Sequence, residues 1–362
     1  MKRNDSVCNS GDQVKTVQVK TESSDYEVII GEDVWPEVND ILKKSPKAEK
    51  ILIVYDETTY DLFHDRIEKI IQGYQIFNFK VKPGEDSKSL NTYGKLLEFA
   101  AEIKMTRTDA FIALGGGVIG DLTGFAAASY LRGVDYYQIP TTLLAAVDSS
   151  VGGKTGINLQ SGKNLAGAFK QPKGVIFDPK TLKTLSDYDM ANGISEIIKY
   201  GVIFDKSLFE SVNLNEFQTN LPDIIKRCVE IKADIVNRDE LDTGERQLLN
   251  FGHTLGHAIE KISDFEISHG HAVAMGMAMI TKASYKKGLC EKSVYEVLVK
   301  KLVDFNLPYE SVYDTEMMME SLLSDKKRTG DVISFVIPRK IGQCELYPVK
   351  LDEIYDFIKG GE

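Results

Sequence analysis

The residues best suited to chemistry in this chain are its histidines. Of five, four fall between positions 253 and 271: His253, His257, His269 and His271. His253 and His257 are four apart, which on a helix puts both imidazoles on one face, one turn from each other. That spacing lets a helix offer two nitrogen ligands to one metal. It is not the zinc-protease pattern, because Thr254 follows His253 where that pattern needs a glutamate base. A metal here needs a carboxylate from elsewhere in the chain. Glu196 is the candidate, in the run Gly193-Ile-Ser-Glu196-Ile-Ile-Lys199. Glu196 and Lys199 stand one turn apart among isoleucines, and a buried charge demands a partner. The plain alternative is an i,i+3 ion pair on a helix surface.

A second concentration of chemistry is glycine-rich. Gly115-Gly116-Gly117-Val-Ile-Gly120-Asp121 follows the apolar strand Asp109–Leu114 and opens the helical run Leu122–Tyr130. Between a strand and a helix, a GxGxxG pattern lets the backbone approach a pyrophosphate, with the helix N-terminus supplying amide donors. Asp56 ends the buried strand Ile51–Tyr55, where a carboxylate can accept from ribose hydroxyls. It precedes the glycines, whereas in the standard dinucleotide unit the acidic residue follows them, so the expected fold is a variant. Further on, Asp148 leads into Gly152-Gly-Lys154-Thr155, and Ser161-Gly-Lys163-Asn164 follows. Two Gly-Lys pairs beside hydroxyl and amide side chains suit a phosphate or carboxylate. The spaced first glycine of an ATPase P-loop is missing; flexible lysine-bearing surface loops are the alternative.

These groups need positioning elements, and the patterning supplies them. Lys15–Lys20 and Tyr26–Ile30 read as paired strands, Ile51–Tyr55, Gln75–Val81 and Asp135–Ile139 as strands of a mainly parallel sheet, and Asn91–Lys104 as a helix. From Lys183 the glycines thin out and helical periodicity takes over. Met190–Phe204, Leu221–Arg238, Met275–Lys286, Val294–Phe305 and Glu316–Leu323 are expected helices. Arg246 and Asn250 precede the histidine helix and are expected to stack toward its His253 end. Two short strands, Val332–Ile337 and Cys344–Val349, and a last helix Leu351–Lys359 close the chain. The expected organisation is a frayed tail over 1–14, an α/β nucleotide-binding domain over 15–182 and a mainly helical metal- and substrate-binding domain over 183–362. The formal net charge of −10 argues against nucleic acid or an anionic membrane as a bulk partner. No apolar run reaches membrane-span length, and the N-terminus lacks a hydrophobic signal core. Cys8, Cys228, Cys290 and Cys344 lie far apart, which suits a reducing cytoplasm.

A dinucleotide cradle, a Glu/His/His metal group and separated cations together indicate metal-dependent oxidation of a polyol phosphate. Several long stretches then carry a resemblance: ALGGGVIGDLTGF, YLRGVDYYQIPTTLLAAVDSSVGGKTGIN, SGKNLAGAF, ISEIIKYG, LLNFGHTLGHAIE and HGHAVAMGM. From about residue 15 to the end, the chain resembles the 3-dehydroquinate synthase family. The resemblance implies a Rossmann-like NAD-binding domain followed by a helical metal domain, usually in a homodimer. It implies conversion of 3-deoxy-D-arabino-heptulosonate 7-phosphate to 3-dehydroquinate and phosphate, in the shikimate route to aromatic amino acids. Oxidation, β-elimination, reduction and an intramolecular aldol closure would leave NAD regenerated.

Carried over by motif, Glu196, His253 and His269 would hold zinc or cobalt. NAD would lie on Gly115, Gly116, Gly117 and Asp121. Asp56, Glu85, Lys88, Thr141 and Thr142 would surround its ribose and adenine parts, with Lys154, Lys163, Thr184 and Leu185 adding contacts. Lys154, Asn164, Asn250, His257 and Lys326 or Lys327 match a phosphate pocket, with Arg132 reaching it from a partner subunit. Lys232 and Arg246 match a carboxylate clamp, and Asp148 and Lys199 would touch ring hydroxyls. One departure stands out: the family usually reads His-Gly-Glu where this chain has His269-Gly-His271. That would remove a carboxylate from beside the metal. Other sugar-phosphate cyclases, metal-dependent polyol dehydrogenases and a non-enzymatic metal-stabilised scaffold are the rival readings.

Overall fold

A computed structural model of the protein describes residues 14–323 and 331–360. Lys326 and Lys327 lie outside the described residues. The chain opens with β1 (Lys15–Lys20), β2 (Asp25–Ile30), α1 (Val38–Leu42), β3 (Lys50–Asp56), α2 (Glu57–Ile70), β4 (Gln75–Val81) and α3 (Leu90–Glu102). Then come β5 (Ala110–Gly115), α4 (Gly117–Ser129), β6 (Asp135–Pro140), β7 (Lys154–Leu159), β8 (Gly162–Phe169) and β9 (Val175–Phe177). The rest is mainly helical: α5 (Asp187–Ile203), α6 (Lys206–Ser211), α7 (Phe217–Arg238), α8 (His253–Ile262) and α9 (His269–Lys286). The sequence of elements finishes with α10 (Lys292–Asp304), α11 (Thr315–Leu323), the hairpin β10 (Val332–Lys340) and β11 (Gln343–Lys350), and α12 (Ile354–Lys359).

Seven strands form one sheet in the order β1-β2-β9-β6-β5-β3-β4. All neighbours are parallel except β1, which pairs antiparallel with β2. Alternation along β3 and β5 divides their side chains between two layers, as the period of a strand requires. Ile51, Ile53, Tyr55, Ile112 and Leu114 pack with Phe63 and Ile67 of α2 on one face. Leu52, Val54, Phe111 and Ala113 pack with Leu96 of α3 and Ile119 and Leu122 of α4 on the other. The third and largest core joins Val17, Val28 and Phe177 of the sheet to Ile197, Val229, Leu255 and Met277 of the helical half. Among the described residues no helix is long and apolar enough to cross a membrane.

Three local expectations are corrected. First, α4 begins at Gly117, five residues before Leu122, with Gly116 at its N-cap and no side chain capping it. Helix propensity disfavours glycine, but β-sheet packing of Ile119 and Leu122 overrides that preference. Second, the Gly-Lys stretches, for which flexible loops were the alternative, run into the antiparallel hairpin β7–β8, with Lys154 opening β7 and Lys163 and Asn164 in β8. Third, Arg246 and Asn250 are not a continuation of the histidine helix. They sit in a separate 3₁₀ turn, Glu245–Asn250, because Gly252 at φ 78° breaks the helical path before His253.

Candidate active site

Helix α5 is buried almost all round: Ile194, Ile197, Ile198 and Tyr200 belong to the main core. This carries Glu196, at 0% exposure, and Lys199, at 1%, into the interior, so the surface ion-pair alternative fails. Helices α8 and α9 present their first residues, His253 and His269, to the same point. They come close because Gly252, Gly256 and Gly276 line the seam between them; a Cβ on Gly256 would sit 3.1 Å from Val273 Cα, and one on Gly252 2.8 Å from Met277 N.

At that point His269 Nε2 lies 3.6 Å and His253 Nε2 3.8 Å from Glu196 Oε1. Both separations are too long for good hydrogen bonds. They approach the spacing of about 3.3–3.6 Å between ligand atoms around a tetrahedral ion with bonds near 2.0–2.2 Å. Glu196 Oε1 is buried without a hydrogen-bond partner. The three donor atoms, within 4.8 Å of one another, could therefore hold a divalent ion. The opposite ring nitrogens are engaged elsewhere: His253 Nδ1 lies 3.2 Å from Phe251 O and His269 Nδ1 3.2 Å from Glu260 Oε2. Burial, then the Lys199 charge, holds the His253 pKa well below its ordinary value, which leaves a neutral imidazole with a free lone pair. Burial also acts to lower His269, but the Glu196 and Glu260 carboxylates outweigh it and push the ring up to about 10. An ion would displace that proton.

Lys199 links this group to a cluster of buried charges. Its ammonium pairs with Glu196 Oε2 and lies 3.4 Å from Asp148 Oδ2. Asp148, in the short π-helical turn Ala145–Ser149, also pairs with Lys232 and accepts from Tyr200 Oη at 3.0 Å. Lys232 donates to the Asp148 carbonyl at 2.7 Å. Burial is the largest influence on Asp148 and would raise its pKa, but Lys199 and Lys232 reverse that and hold it well below the carboxylate range. Burial lowers the Lys232 amine to about 8, with Asp148 opposing and Arg246 assisting. Arg246 is buried and donates to Gly152 O at 2.9 Å, a contact that fits because Gly152 has no side chain. Its Nε has no partner. Within this buried cluster cations outnumber carboxylates, so an incoming anion meets favourable charge.

The glycine turn abuts the same segment. A Cβ on Gly116 would lie 3.0 Å from Thr142 Cγ2, and one on Gly117 3.0 Å from Ser149 Oγ. A Cβ on Gly193 of α5 would lie 2.6 Å from Leu143. Residues 141–149 therefore bridge the glycine turn and α5, which carries Glu196. Gly115 O accepts from Thr141 N at 3.0 Å. Val54 pairs with Ala113, so Asp56 and Gly115 end adjacent strands at the same edge. Asp56 also caps α2 through Thr59 N at 2.7 Å. Asp121 pairs with the buried Lys88, and Glu85 accepts from Asn158 Nδ2 at 2.8 Å. These groups fit a dinucleotide: an uncapped helix N-terminus, a glycine turn packed closely against its neighbours, and Asp56 at the same sheet edge.

Other sequence-derived residues are placed differently. Lys154 pairs with Asp242, and Lys163 with Glu260 at 2.8 Å, so both hairpin lysines reach carboxylates of the helical half. Asn164 holds φ 53° with its amide on Asn158 Oδ1 at 2.9 Å. His257 is exposed on α8, with its ring centroid 5.4 Å from that of His253 and 5.9 Å from that of His269. Asn250 ends the 3₁₀ turn. Thr184 and Leu185 are held locally, by Thr181 O and Leu182 O. Exposed Arg132, at φ 67°, follows Leu131 at φ 49° and has no ion partner among the described residues. His271 stands outside both donor groups: its ring stacks on Tyr188 at 4.0 Å and its Nδ1 meets Ser268 Oγ at 2.7 Å.

Sequence reasoning passed over Glu260, Tyr200 and Asp242. Glu260 was detectable, since it lies three residues after His257 and seven after His253, on their helix face. Tyr200 and Asp242 carry no such spacing signal.

The chain matches the family description "3-dehydroquinate synthase N-terminal" over residues 78–192 and "3-dehydroquinate synthase C-terminal" over 193–328. A 3-dehydroquinate synthase of Clostridium beijerinckii is 45% identical over 333 residues, covering 89% of this chain and 94% of that protein. The fold is similar to 2-deoxy-scyllo-inosose synthase complexed with carbaglucose-6-phosphate, NAD+ and Co2+: TM-score 0.87, 25% identity, 96% and 100% of the two chains covered. It is also similar to 2-epi-5-epi-valiolone synthase from Streptomyces hygroscopicus with NAD+ and Zn2+ bound: TM-score 0.83, 24% identity, 95% and 98% covered. By the two domain matches, the long alignment and a glycine turn set against a Glu/His/His centre, this chain belongs to the 3-dehydroquinate synthase family.

Proposed function

We propose that the chain converts 3-deoxy-D-arabino-heptulosonate 7-phosphate to 3-dehydroquinate and phosphate, as a carbon–oxygen lyase of the shikimate route. It uses NAD and one divalent ion, zinc or cobalt. The observation that carries this reading is the sharing of Lys199 between Glu196 and Asp148, which sets a metal-ligand group against a cationic pocket beside the glycine turn. Residues 15–182 form the nucleotide-binding unit and 183–362 the metal- and substrate-binding unit. The protein acts in the cytoplasm as a homodimer, with Arg132 of each copy directed to its neighbour's phosphate pocket. The exposure of Arg132 and its lack of an ion partner among the described residues support that role.

When bound, NAD takes up and returns a hydride, and the divalent ion, on Glu196, His253 and His269, polarises the reacting hydroxyl. The protein's own groups do the rest by holding. Lys232 and Arg246 clamp the substrate carboxylate. Lys154, Asn164, Asn250 and His257 receive the phosphate. Asp148 accepts from a ring hydroxyl while Lys199 donates to one, each fixed by the pairing described above. Once the neighbouring carbon is a ketone, its adjacent C–H is acidic. The departing phosphate takes that proton on its own oxygen as the C–O bond breaks, so the protein supplies orientation rather than a strong base.

The experiment adds the heptulosonate phosphate with catalytic NAD and follows phosphate release and absorbance of NADH together. Release without net NADH is expected. Sustained NADH would replace this reading by a polyol dehydrogenase, and no release by another sugar-phosphate cyclase or an inert scaffold.

A further inference from the structure

Glu260 is 2% exposed in the last turns of α8, and no role above uses it. Its two oxygens have different partners. Oε2 lies 3.2 Å from His269 Nδ1, and Oε1 accepts from Lys163 Nζ at 2.8 Å. The other nitrogen of the same imidazole, Nε2, faces Glu196 Oε1 at 3.6 Å. An imidazole that gives its Nδ1–H to a carboxylate is fixed in both rotation and tautomer, with its Nε2 lone pair presented on the opposite side. Phe251 O faces His253 Nδ1 in the same way.

We propose that Glu260 is the positioning residue of the metal centre, taking the Nδ1–H of His269 so that Nε2 meets the ion, while Lys163 of the β7–β8 hairpin holds Glu260 in place. The proposal rests on the reading of Glu196, His253 and His269 as the ligands. The geometry contains a competitor, since Glu260, His257 and His269 also bring donor atoms within 4.8 Å of one another. Two observations decide against it. Both Glu260 oxygens are engaged, whereas Glu196 Oε1 has no hydrogen-bond partner. His257 is exposed, while Glu196 is wholly buried.

The test titrates metal-free full-length protein with Zn2+ against a chromophoric chelator, and with Co2+ by visible absorption. Glu260→Gln is expected to weaken Zn2+ binding about 10–100-fold. His257→Ala is expected to leave it within about twofold, with the cobalt bands unchanged. Thermal unfolding of the metal-free variants checks their folding. A measurement on wild-type protein guards against a Gln variant that does not fold: 15N NMR of the zinc-loaded histidines should show His269 coordinated through Nε2 and protonated on Nδ1. Wild-type affinity in Glu260→Gln, an equal loss in His257→Ala, or coordination of His269 through Nδ1 would each overturn the proposal. Wild-type protein that bound no zinc would sink the metal reading with it, which sets that failure apart from the other three.

Discussion

Lys232 shows how one buried amine ties stability and binding to pH in opposite directions. Its pKa of about 8, against 10.5 for a free lysine, is set first by burial. Below about pH 8 the folded and unfolded chains both hold the proton, and the buried charge opposes folding. As pH rises from about 8 toward 10.5, the unfolded chain binds more protons than the folded one, so this group's contribution to stability rises. On the proposed clamp role, anion binding moves the other way, because the amine loses its charge. Affinity for a non-reacting carboxylate analogue, measured calorimetrically, is expected to fall by up to about tenfold per pH unit above pH 8, and Lys232→Arg to remove the inflection. At the metal, His269→Ala is expected to abolish Zn2+ binding in a chelator competition, while His271→Glu is tolerated, because the 271 side chain packs on Tyr188 and Ser268. The reverse pattern would exchange the two assignments. These candidate ligand positions stood out because histidine is rare in the chain and Glu196 sits among isoleucines. The carboxylate beside His269 was legible only as a neighbour of His253 and His257 on their own helix, since the fold brings it to His269 from nine residues upstream on another helix.

Two helices carry the candidate histidine ligands, and their approach is set by glycine. A Cβ on Gly276 would fall inside van der Waals contact with Gly252 O, and one on Gly252 would meet Val273 O at 2.7 Å. Gly276→Ala must push α9 away from α8 or distort both. A loss of about 1–3 kcal/mol in unfolding free energy is expected from denaturant titration, with Zn2+ affinity falling alongside it. Full stability with full affinity would show that the seam has slack. The buried strands were readable from their sequences because a strand covered on both faces is a continuous apolar run, as in β3 and β5. The hairpin β7–β8 was not. Its glycines, polar residues and lysines give no clear alternation, and its pairing depends on close backbone approach, with a Cβ on Gly156 only 2.8 Å from Ala166 O. The start of α4 was obscured for the same reason: glycine carries no periodicity.

Over the whole molecule, the nucleotide-binding and metal-binding halves share a core, since Val17 and Phe177 cluster with Val229 and Met277. A composition shift near Lys183 is visible in the sequence, but a core that runs through that point is not. The two halves are therefore expected to unfold together. Trp35, the sole tryptophan, is buried against Phe63 on the far face of the sheet and reports on the first half by fluorescence. Far-UV circular dichroism reports mainly on the helices of the second. Coincident denaturant midpoints are expected, and a gap between them would show two separately folding units.

The pairing of Lys154 with Asp242 has a consequence for how the site responds to its medium. The lysine side chain is 51% exposed, so the pair itself adds little stability and exchanges readily. A bare surface ammonium gathers mobile ions from solution and releases them when a ligand arrives, which makes capture sensitive to ambient salt. Asp242 is a counterion attached to the chain. On the proposed phosphate role of Lys154, a phosphate that displaced Asp242 would pass the lysine from one negative partner to another without releasing a mobile anion from it. At this position, the protein carries its own salt.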